Sequence, residues 1–592
     1  MRSANATEPP SDSALRQVSA LLGASRTGVI VLVVSSVLCG LCEAAILGTV
    51  AQAAGALVNG TRSVHADIGS IHVHETIGAL LAIGFGLALA RLALQAPLSI
   101  LPARMAAGVG ARLQAGLFSA YTRASWTEQS RDREGTLQEL ITNQTLQAAY
   151  GALSLTALLT AGITLAVLLF SALLLNAVAA VAVAGASIAL LVVLRPLNQV
   201  TTGRARSMSQ SQMDLASGVG QATRLAEETH VFGVAGAQRE QMNGYVTTTK
   251  TFFYQAQMLG RLGPNLYQSA IYLLVVGGLA LISAAHAGDV ASLGAVVLLL
   301  VRAGSYGQQV QGSYQMLRQT LPFVERLRQA EQRYAASAPP SGERALDVVR
   351  SVAFENVSFA YTPGRPVLSD LTFEIAGGET IGIIGPSGAG KSTLVQLLLR
   401  LRAPDSGSYL VNGVSAEQFT ADDWHTAVAY VPQEPKLLHA SVAENIRYFR
   451  DVSDAAVEHA AQLARIHDDI VSWAEGYDTI IGPRADAVSG GQQQRICIAR
   501  ALVAQPTVLV LDEPTSALDP HSENLLQESL RSLQAGLTLF IIAHRMSTLE
   551  ICDRVMVIEA GQVEAFDTAA RLSRQNAYYR FASELASGTT TH

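Results

Sequence analysis

The chain has 592 residues, of which 49% are hydrophobic and 15% charged, and its formal net charge at pH 7 is -6. This length is too great for one core, so two or more domains are expected, and the negative charge argues against a nucleic-acid partner. The four cysteines do not make a disulfide framework, and Cys39 and Cys42, in an apolar run, are better explained as small residues that let helices approach than as a metal or redox motif.

The N-terminal segment, residues 1–27, is predicted to lie in the cytoplasm. It lacks a basic region followed at once by a short apolar core, so no cleavable signal is expected. Apolar residues from Ala14 to Leu22 recur at helical spacing. This pattern fits an amphipathic elbow helix on the inner membrane face, and equally a short helix packed on protein.

Six apolar runs follow, each a candidate for a helix through a bilayer that needs about 20 residues per span. They are Gly28–Val50, Ile77–Ser99, Ala149–Leu175, Ala177–Leu197, Tyr267–Ala287 and Val290–Ala303. The third and fourth are separated only by Asn176, so one long buried helix is the alternative there. We therefore expect residues 28–336 to form an all-α transmembrane domain of six helices.

The loops between the runs differ in charge, which predicts the orientation. The cationic loops contain Arg104, Arg112, Arg123, Arg131 and Arg133, and then Arg204, Arg206, Arg224, Arg239, Lys250 and Arg261. The segment Ala51–Thr76 has only Arg62. Because positive loops stay inside, both chain ends should be cytoplasmic. The excess of arginine over lysine suggests a bacterium with a GC-rich genome, and hence its inner membrane.

Several polar residues stand out in this half of the chain. His72, His74 and Glu75 form a chelating pattern in the outer loop, but without a fixed scaffold such a metal site is weak, and an exposed loop is the preferred interpretation. Ionisable residues within spans are costly, so Glu43, Arg91 and Arg302 should face a cavity or one another. Contact with cargo and a structural ion pair are both open.

A glutamine stripe continues the sixth run. Gly304, Gln308, Gln311 and Gln315 recur at spacings of 4, 3 and 4, which places them on one helical face. The stripe is predicted to line a wet pathway for amphipathic cargo. The alternative is the water-exposed cytoplasmic end of a helix.

The segment Ser337–Arg344 has the composition of a linker, which we extend over residues 337–347. From residue 348 to 592 strand-like and helix-like runs alternate, as in an α/β domain. There the apolar run Glu379–Gly385 leads into Gly385-x-x-x-x-Gly390-Lys391-Ser392 and then into a helical pattern from Ser392 to Leu401. Lys391 is one of only three lysines, with Lys250 and Lys436, so a general need for positive charge does not explain it.

This spacing is typical of a P-loop, in which backbone amides hold the α and β phosphates, the lysine reaches the β and γ phosphates and the hydroxyl binds Mg²⁺. The alternative is a glycine-rich turn between a strand and a helix. The predicted nucleotide-binding residues of the loop are Gly385, Pro386, Ser387, Gly388, Ala389, Gly390, Lys391, Ser392 and Thr393.

Two further motifs follow. The apolar run Val508–Pro514 delivers Asp512, a candidate Mg²⁺ ligand, and Glu513, which can polarise an attacking water. The segment Val488–Arg495 places a hydroxyl and two glycine amides before a helix, which makes a second anion-binding nest. One ATP does not need two nests, but two copies arranged head to tail would each cover the other's γ phosphate.

With these motifs in order, the chain resembles an ATP-binding cassette (ABC) half-transporter of the exporter type over essentially its whole length. The resemblance implies a type I exporter fold of six membrane helices followed by an α/β P-loop NTPase domain, in a domain-swapped dimer. It implies that Tyr361 stacks on adenine, that Gln433 joins Ser392 and Asp512 at Mg²⁺, and that His544 contacts the γ phosphate. The signature that acts in trans comprises Ser489, Gly490, Gly491 and Gln492, and the D-loop comprises Ser516, Ala517, Leu518 and Asp519.

Two positions depart from the family pattern. Val488 replaces the usual leucine, a change that packing should tolerate. Pro483 stands where exporters usually carry glutamate, which puts the contact of that loop with the membrane domain in doubt. By resemblance, short helices near Ser125–Gly135 and Gly220–Phe232 dock on the cassettes, although their polar composition also suits solvated turns.

The resemblance also predicts the activity. The catalytic set, with Glu513 and His544, is intact, which favours a homodimer with two active sites over a heterodimer. ATP and Mg²⁺ are the expected cofactors, and membrane lipid and a small amphipathic substrate are the expected partners. The predicted function is ATP-driven export of a hydrophobic or amphipathic drug, peptide or lipid. The alternatives are a flippase for a lipid or lipid-linked sugar and an importer on the exporter fold.

Overall fold

The structure is a computed structural model. It describes residues 26–58, 63–68, 71–133, 135–175, 195–284, 290–339, 341–482, 488–515, 520–534, 536–543 and 545–587, with isolated helical positions between 181 and 193. The predicted elbow helix, the boundary at Asn176 and the loop at Pro483 lie outside these residues. The chain divides into two compact units, Met1–Ala338 and Pro339–His592.

Long helices make up most of the first unit. They are α1 (Arg26–Val58), α2 (Ile77–Arg123), α5 (Thr145–Leu175), α6 (Arg195–Arg224), α8 (Ala235–Ala284) and α9 (Val290–Ala336). A hairpin of β1 (Ser63–Ile68) and β2 (Ile71–Thr76) joins α1 to α2, and the short helices are α3 (Trp126–Gln129), α4 (Thr136–Glu139) and α7 (Ala226–Val231). The helices α3 and α7 fall in the two segments where short helices are expected.

Three stretches in the described part of the chain are helical, long and apolar enough to cross a membrane: Thr27–Leu57, Ile77–Arg123 and Thr136–Leu174. Many side chains on their apolar faces are exposed, among them Phe85, Leu92 and Phe170. Such surfaces are unfavourable in water and suit lipid. The helix α9 packs along α5, and α1 packs against α2.

Glycines let α8 and α9 approach closely. A Cβ atom added at Gly307 would lie 2.2 Å from the Tyr267 hydroxyl oxygen, and one at Gly304 would lie 2.4 Å from Ile271. On the other helix, a Cβ at Gly263 would lie 2.4 Å from Gln315 Oε1. Small residues on each helix therefore receive large side chains of the other, a packing mode favoured between membrane helices.

This packing predicts the effect of a single methyl group. Gly307→Ala should lower the apparent Tm of the purified protein, because overpacking a tight contact costs about 1–3 kcal/mol. Gly244→Ala in α8 is the matched control, since nothing lies within 4 Å of its added Cβ. Alanine also favours a helix over glycine by about 0.5–1 kcal/mol, so the control should melt at the same or a higher temperature. Equal melting of both variants would contradict the close approach.

Within the outer loop, residues 63–68 and 71–76 form the two strands of an antiparallel hairpin. Polar and apolar residues alternate along β1 and from Ile71 to His74 in β2, which is the period-2 pattern of a two-faced ribbon. The two residues between the strands, Gly69 and Ser70, have the composition of a tight hairpin turn.

The second unit is an α/β domain whose described residues form a six-stranded sheet, a four-stranded sheet and a short two-stranded ladder of the strands Ala440–Ser441 and Ile480–Ile481. Its helices are α10 (Lys391–Leu398), α11 (Ala421–Ala427), α12 (Val442–Arg447), α13 (Asp454–Leu463), α14 (His467–Ser472), α15 (Gly490–Leu502), α16 (Pro520–Leu533), α17 (Met546–Leu549), α18 (Ala569–Gln575) and α19 (Ala577–Ser587). Its strands are β3 (Ser351–Phe359), β4 (Leu368–Ala376), β5 (Thr380–Ile384), β6 (Ser406–Val411), β7 (Val414–Ser415), β8 (Val428–Val431), β9 (Ala440–Ser441), β10 (Ile480–Ile481), β11 (Val508–Asp512), β12 (Thr538–Ile542), β13 (Arg554–Glu559) and β14 (Gln562–Asp567).

The larger sheet has the order β14-β13-β5-β12-β11-β8, in which β13 to β8 are parallel. Alternate residues of β11 belong to two different hydrophobic cores. Leu509 and Leu511 pack with the helices on one face of the sheet, and Val508 and Val510 pack toward the antiparallel sheet β4-β3-β6-β7 on the other. Because both faces are covered, the strands are continuously apolar. The carboxyl ends of β5, β8, β11 and β12 meet at one edge, which is where parallel sheets bind ligands.

Candidate nucleotide-binding site

The P-loop runs from the end of β5 to the start of α10. The predicted strand and helix are both present. The helix α10 begins at Lys391 and ends at Leu398, and Gly390 caps its start in a left-handed conformation with φ of 104°. A Cβ at Gly390 would lie 2.5 Å from Leu368, whereas one at Gly388 meets nothing within 4 Å. Gly390 is thus fixed by packing, and Gly388 keeps an open face at which a phosphate can approach the backbone.

Lys391 lies within this loop and is largely buried. Its ammonium group donates hydrogen bonds to the carbonyl oxygens of Gly385 at 2.7 Å and Pro386 at 3.1 Å. Burial holds its pKa below the usual value, while the nearby carboxylates of Glu513 and Asp512 act in the opposite direction. These two hydrogen bonds use two of the three N–H donors of the ammonium group, and the third can bind a phosphate oxygen.

Two carboxylates reach the same edge of the sheet at the end of β11. Gln433 Nε2 donates to Glu513 Oε2 at 2.7 Å, and Tyr430, on β8, donates to Asp512 Oδ2 at 3.4 Å. The backbone of Glu513 is left-handed, with φ of 47°. Strain of this kind concentrates at functional sites.

Tyr430 belongs to no sequence motif, and its only signal in the sequence is its position three residues before Gln433. Burial and the carboxylate of Asp512 raise the pKa of its phenol, so the hydroxyl stays protonated and remains a donor. Tyr430 therefore orients a carboxylate that is a candidate metal ligand.

The predicted adenine platform lies beside α10. The hydroxyl of Tyr361 is 3.1 Å from Thr393 Oγ1 and donates to Gln396 Oε1 at 3.3 Å. The Arg402 guanidinium carbon is 4.8 Å from the centre of its ring. One face of this half-exposed ring is therefore held by the domain, which fixes the ring for stacking.

The signature segment begins α15. The side chain of Ser489 caps the helix by accepting a hydrogen bond from the backbone N–H of Gln492 at 3.3 Å, and Gln492 Oε1 accepts from the backbone N–H of Ser489 at 2.9 Å. Gln492 Nε2 also donates to Asp469 at 3.1 Å. This capping box holds Gly490 and Gly491 in the first turn, where helix N–H groups attract anions.

Two predicted parts of the site, Ser516–Asp519 and His544, lie outside the described residues. Their flanks are held together: Thr515 Oγ1 is 3.3 Å from Thr548 Oγ1, and Glu523 accepts hydrogen bonds from Arg545 and Ser547. The largely buried Glu523 thus links α16 to the segment after β12, and no short sequence pattern predicts this link.

In the membrane unit, Glu43, Arg91 and Arg302 come together as an ion cluster. Arg91 lies 3.2 Å from Glu43 Oε2, Arg302 contacts Glu43 Oε1, and Tyr306 donates to Glu43 Oε2 at 2.8 Å. The Glu43 side chain is 7% exposed, whereas Arg302 is 44% exposed. The three residues fit a structural ion pair, and contact with cargo stays a prediction.

The glutamine stripe differs from both expectations. Gln308 is half-buried, but Gln311 and Gln315 are fully buried within this one chain, so they neither line a wet pathway nor face the cytoplasm. Gln315 Nε2 donates to the carbonyl of Leu259 and to Thr201 Oγ1. The reason is the close approach at Gly263, where the missing side chain of α8 leaves room for Gln315 and Gln311 of α9.

Among the side chains that the structure describes, which exclude those of residues 58–75, no group of three or more histidine, cysteine or acidic residues is arranged to hold a metal ion. A Mg²⁺ at the candidate site would therefore rest on the mixed set Ser392, Gln433 and Asp512. Oxygen donors of this kind, completed by phosphate oxygens, are what Mg²⁺ prefers.

Several known proteins are similar in sequence to this chain. Residues 368–516 match the family described as ABC transporter. The chain is 35% identical over 336 residues to the Beta-(1-->2)glucan export ATP-binding/permease protein NdvA of Mesorhizobium japonicum, covering 56% of each chain. It is 40% identical over 237 residues to the ATP-dependent lipid A-core flippase of Alcanivorax borkumensis, covering 40% of this chain and 41% of the flippase. The chain thus spans about half the length of these two relatives, and only 25–27% of the ATP-binding cassette sub-family B member 6 proteins that it also matches.

A solved structure matches over a much greater length. A bacterial Atm1-family ABC exporter with ATP bound superposes with a TM-score of 0.81, covering 95% of this chain and 99% of that one at 24% identity. At this identity the likeness shows the fold, and it agrees with the helical unit followed by an α/β unit. The chain therefore carries the ATP-binding domain of the ABC transporter family and has the fold of an ABC exporter.

Proposed function

We propose that this protein hydrolyses ATP to drive export of a hydrophobic or amphipathic substrate across the bacterial cytoplasmic membrane by alternating access. The observation that carries the proposal is the convergence of Lys391, Asp512, Glu513 and Gln433 at one edge of the sheet. This set supplies a phosphate-binding cation, a metal ligand and a candidate base. The exporter fold of the whole chain connects that chemistry to a membrane.

The residues suggest how hydrolysis proceeds. Lys391 and the P-loop amides bind the phosphates, and Mg²⁺ held by Ser392, Gln433 and Asp512 would neutralise their charge. Glu513, positioned by its hydrogen bond from Gln433, accepts the proton of the attacking water. His544 is proposed to contact the γ phosphate.

A second copy of the chain completes each site. The capping box presents the amides of Gly490 and Gly491 in a nest that the P-loop of the same chain does not need. In a head-to-tail homodimer this nest covers the γ phosphate of the partner's ATP, and the D-loop Ser516–Asp519 crosses the interface. Because ATP then binds the closed dimer more tightly than the open one, it shifts the equilibrium toward closure.

The first unit has exposed surfaces that could transmit the closure of the two cassettes to the membrane helices. Val231 and Phe232, at the end of α7, are 72% and 73% exposed, and Leu225 before it is also exposed. Exposed apolar residues on a polar loop are typical of a docking surface. We propose that α7 docks on the partner's cassette and that α3 docks on a cassette as well.

Substrate class is tested by the ATPase activity of the protein in nanodiscs. Amphipathic drugs, peptides and lipid-linked sugars are added in turn, with Glu513→Gln as the inactive control. A transported ligand should stimulate hydrolysis several-fold and should then enter inside-out proteoliposomes only when ATP is present. Stimulation without uptake, together with ATP-dependent movement of a lipid between leaflets, would replace export with flipping, a candidate favoured by the flippase relative. Uptake in the opposite direction would identify an importer.

A further inference from the structure

The side chain of Gln492, in the signature segment, is held at both ends. Its Oε1 accepts a hydrogen bond from the backbone N–H of Ser489 at 2.9 Å, and its Nε2 donates to Asp469 Oδ1 at 3.1 Å. A carboxylate only accepts hydrogen bonds, so it can face only the amino end of this amide. Asp469 therefore determines that the carbonyl end of Gln492 faces Ser489 and closes the capping box.

Asp469 lies on α14, which packs on the same hydrophobic core as α15. The flanking residues Ile466 and Ile470 are fully buried in that core. The Asp469 side chain is 33% exposed, and its two oxygens contact two side chains of α15, because Oδ1 accepts from Gln492 and Oδ2 accepts from Arg495 at 2.9 Å. Gln492 and Arg495 are three residues apart and so lie on one face of the helix. One carboxylate thus links the first turns of α15 to α14.

Arg495 makes this arrangement compatible with an anion nearby. Its side chain is only 5% exposed, and Asp469 is the one carboxylate among its described contacts. Because the two charges balance, the carboxylate repels a phosphate at the nest less than an unpaired carboxylate would. Removing one partner of such a buried pair is strongly destabilising, which favours the paired geometry.

The capping box determines which amides are left for a ligand. It uses the backbone N–H groups of Ser489 and Gln492 and does not use those of Gly490 and Gly491. The first N–H groups of a helix have no partner within the helix and can bind an anion. The direction of the two glycine amides depends on the box, and the box depends on Asp469.

We propose that Asp469 is a positioning residue for the signature: through Gln492 it holds the amides of Gly490 and Gly491 toward the γ phosphate of the ATP bound by a second copy of the chain. This inference rests on the proposed head-to-tail dimer. It adds to that site a residue outside the signature, 23 residues before Gln492. Asp469 acts through Gln492 and is not itself proposed to touch the nucleotide.

The test measures the ATP concentration that gives half-maximal crosslinking between tagged cassettes of the full chain in nanodiscs, with Mg²⁺ and in the Glu513→Gln background. Adding Asp469→Ala should raise that concentration about tenfold or more, the effect typical of losing a hydrogen bond to a charged group. Asp468→Ala is the matched control, because Asp468 is the neighbouring, exposed carboxylate of the same helix. It should change the value less than about twofold, as surface substitutions usually do.

Binding of ADP separates a signature effect from damage to the domain. ADP lacks the γ phosphate, so its affinity in Asp469→Ala should match that of the chain without this substitution. Because Asp469→Ala leaves Arg495 without its carboxylate, Asp469→Asn is measured as well. It keeps the size of the side chain and loses only the charge, and it should shift the ATP concentration in the same direction by a smaller factor.

A double-mutant cycle with Gln492→Ala shows whether Asp469 acts through Gln492. If it does, Asp469→Ala should have little further effect in a chain that already carries Gln492→Ala, because the effects of coupled residues do not add. An unchanged ATP dependence in the Asp469 variants, an equal loss of ADP affinity, or fully multiplied effects in the double variant would overturn the inference. If Glu513→Gln alone gave no ATP-dependent crosslinking, the proposed head-to-tail dimer itself would be wrong.

Discussion

Glu513→Gln should reduce steady-state ATP hydrolysis by at least about 100-fold, the low end of what general-base catalysis supplies. The substitution keeps the size of the side chain and its ability to bond Gln433, whose amide lies 2.7 Å from the carboxylate. It removes the group that takes a proton from water. Lys391 and the P-loop are unchanged, so ATP binding should stay within a few-fold of the wild type.

A trapped dimer is the second expected outcome of this substitution. If the signature covers the partner's γ phosphate, ATP that is bound and not hydrolysed should hold two copies together, which is measurable as crosslinking between tagged cassettes in the presence of ATP and Mg²⁺. Glu374→Gln is the control, since Glu374 is an exposed carboxylate on β4, away from the site. Unaltered hydrolysis in Glu513→Gln would show that another group activates the water.

The P-loop could be predicted from the sequence, because it is formed by residues that are close together in the chain. A P-loop requires a buried strand, glycines at fixed spacing and a helix, and β5, Gly390 and α10 satisfy all three within about one turn of the expected bounds. The contacts of Tyr430 and Glu523 were not foreseen. Their partners lie 82 residues away for Asp512 and 22 for Arg545, and no short pattern encodes such pairs.

The glutamine stripe and the hairpin show a second limit. Helical spacing placed Gln311 and Gln315 correctly on one face but did not determine what that face meets. The decisive residue is Gly263 on a different helix, whose missing side chain admits both glutamines. In the hairpin, the H-x-H pattern was visible, but its partners across the ribbon depend on register, which a single strand does not specify.

Glu43→Leu should lower the stability of the membrane unit by about 3 kcal/mol or more, measured as a fall in Tm or in resistance to denaturing detergent. Glu43 is the only carboxylate among the described contacts of Arg91 and Arg302, and its removal leaves two guanidinium groups on helices of this unit with no opposite charge among those contacts. Removing one partner of a buried ion pair typically costs about 3–5 kcal/mol, and ionisable groups are costly inside a bilayer.

Two comparisons separate this effect from an ordinary loss of packing. The triple variant Glu43→Leu/Arg91→Leu/Arg302→Leu should recover much of the lost stability, because a buried ion cluster replaced as a whole by apolar residues is often neutral or stabilising. Arg206→Gln breaks an ion pair with Glu325 in which the side chains are 60% and 51% exposed, so it should cost less than about 1 kcal/mol. If the triple variant were less stable than Glu43→Leu alone, the cluster would stabilise the fold by its shape and hydrogen bonds, and charge balance would not be its main role.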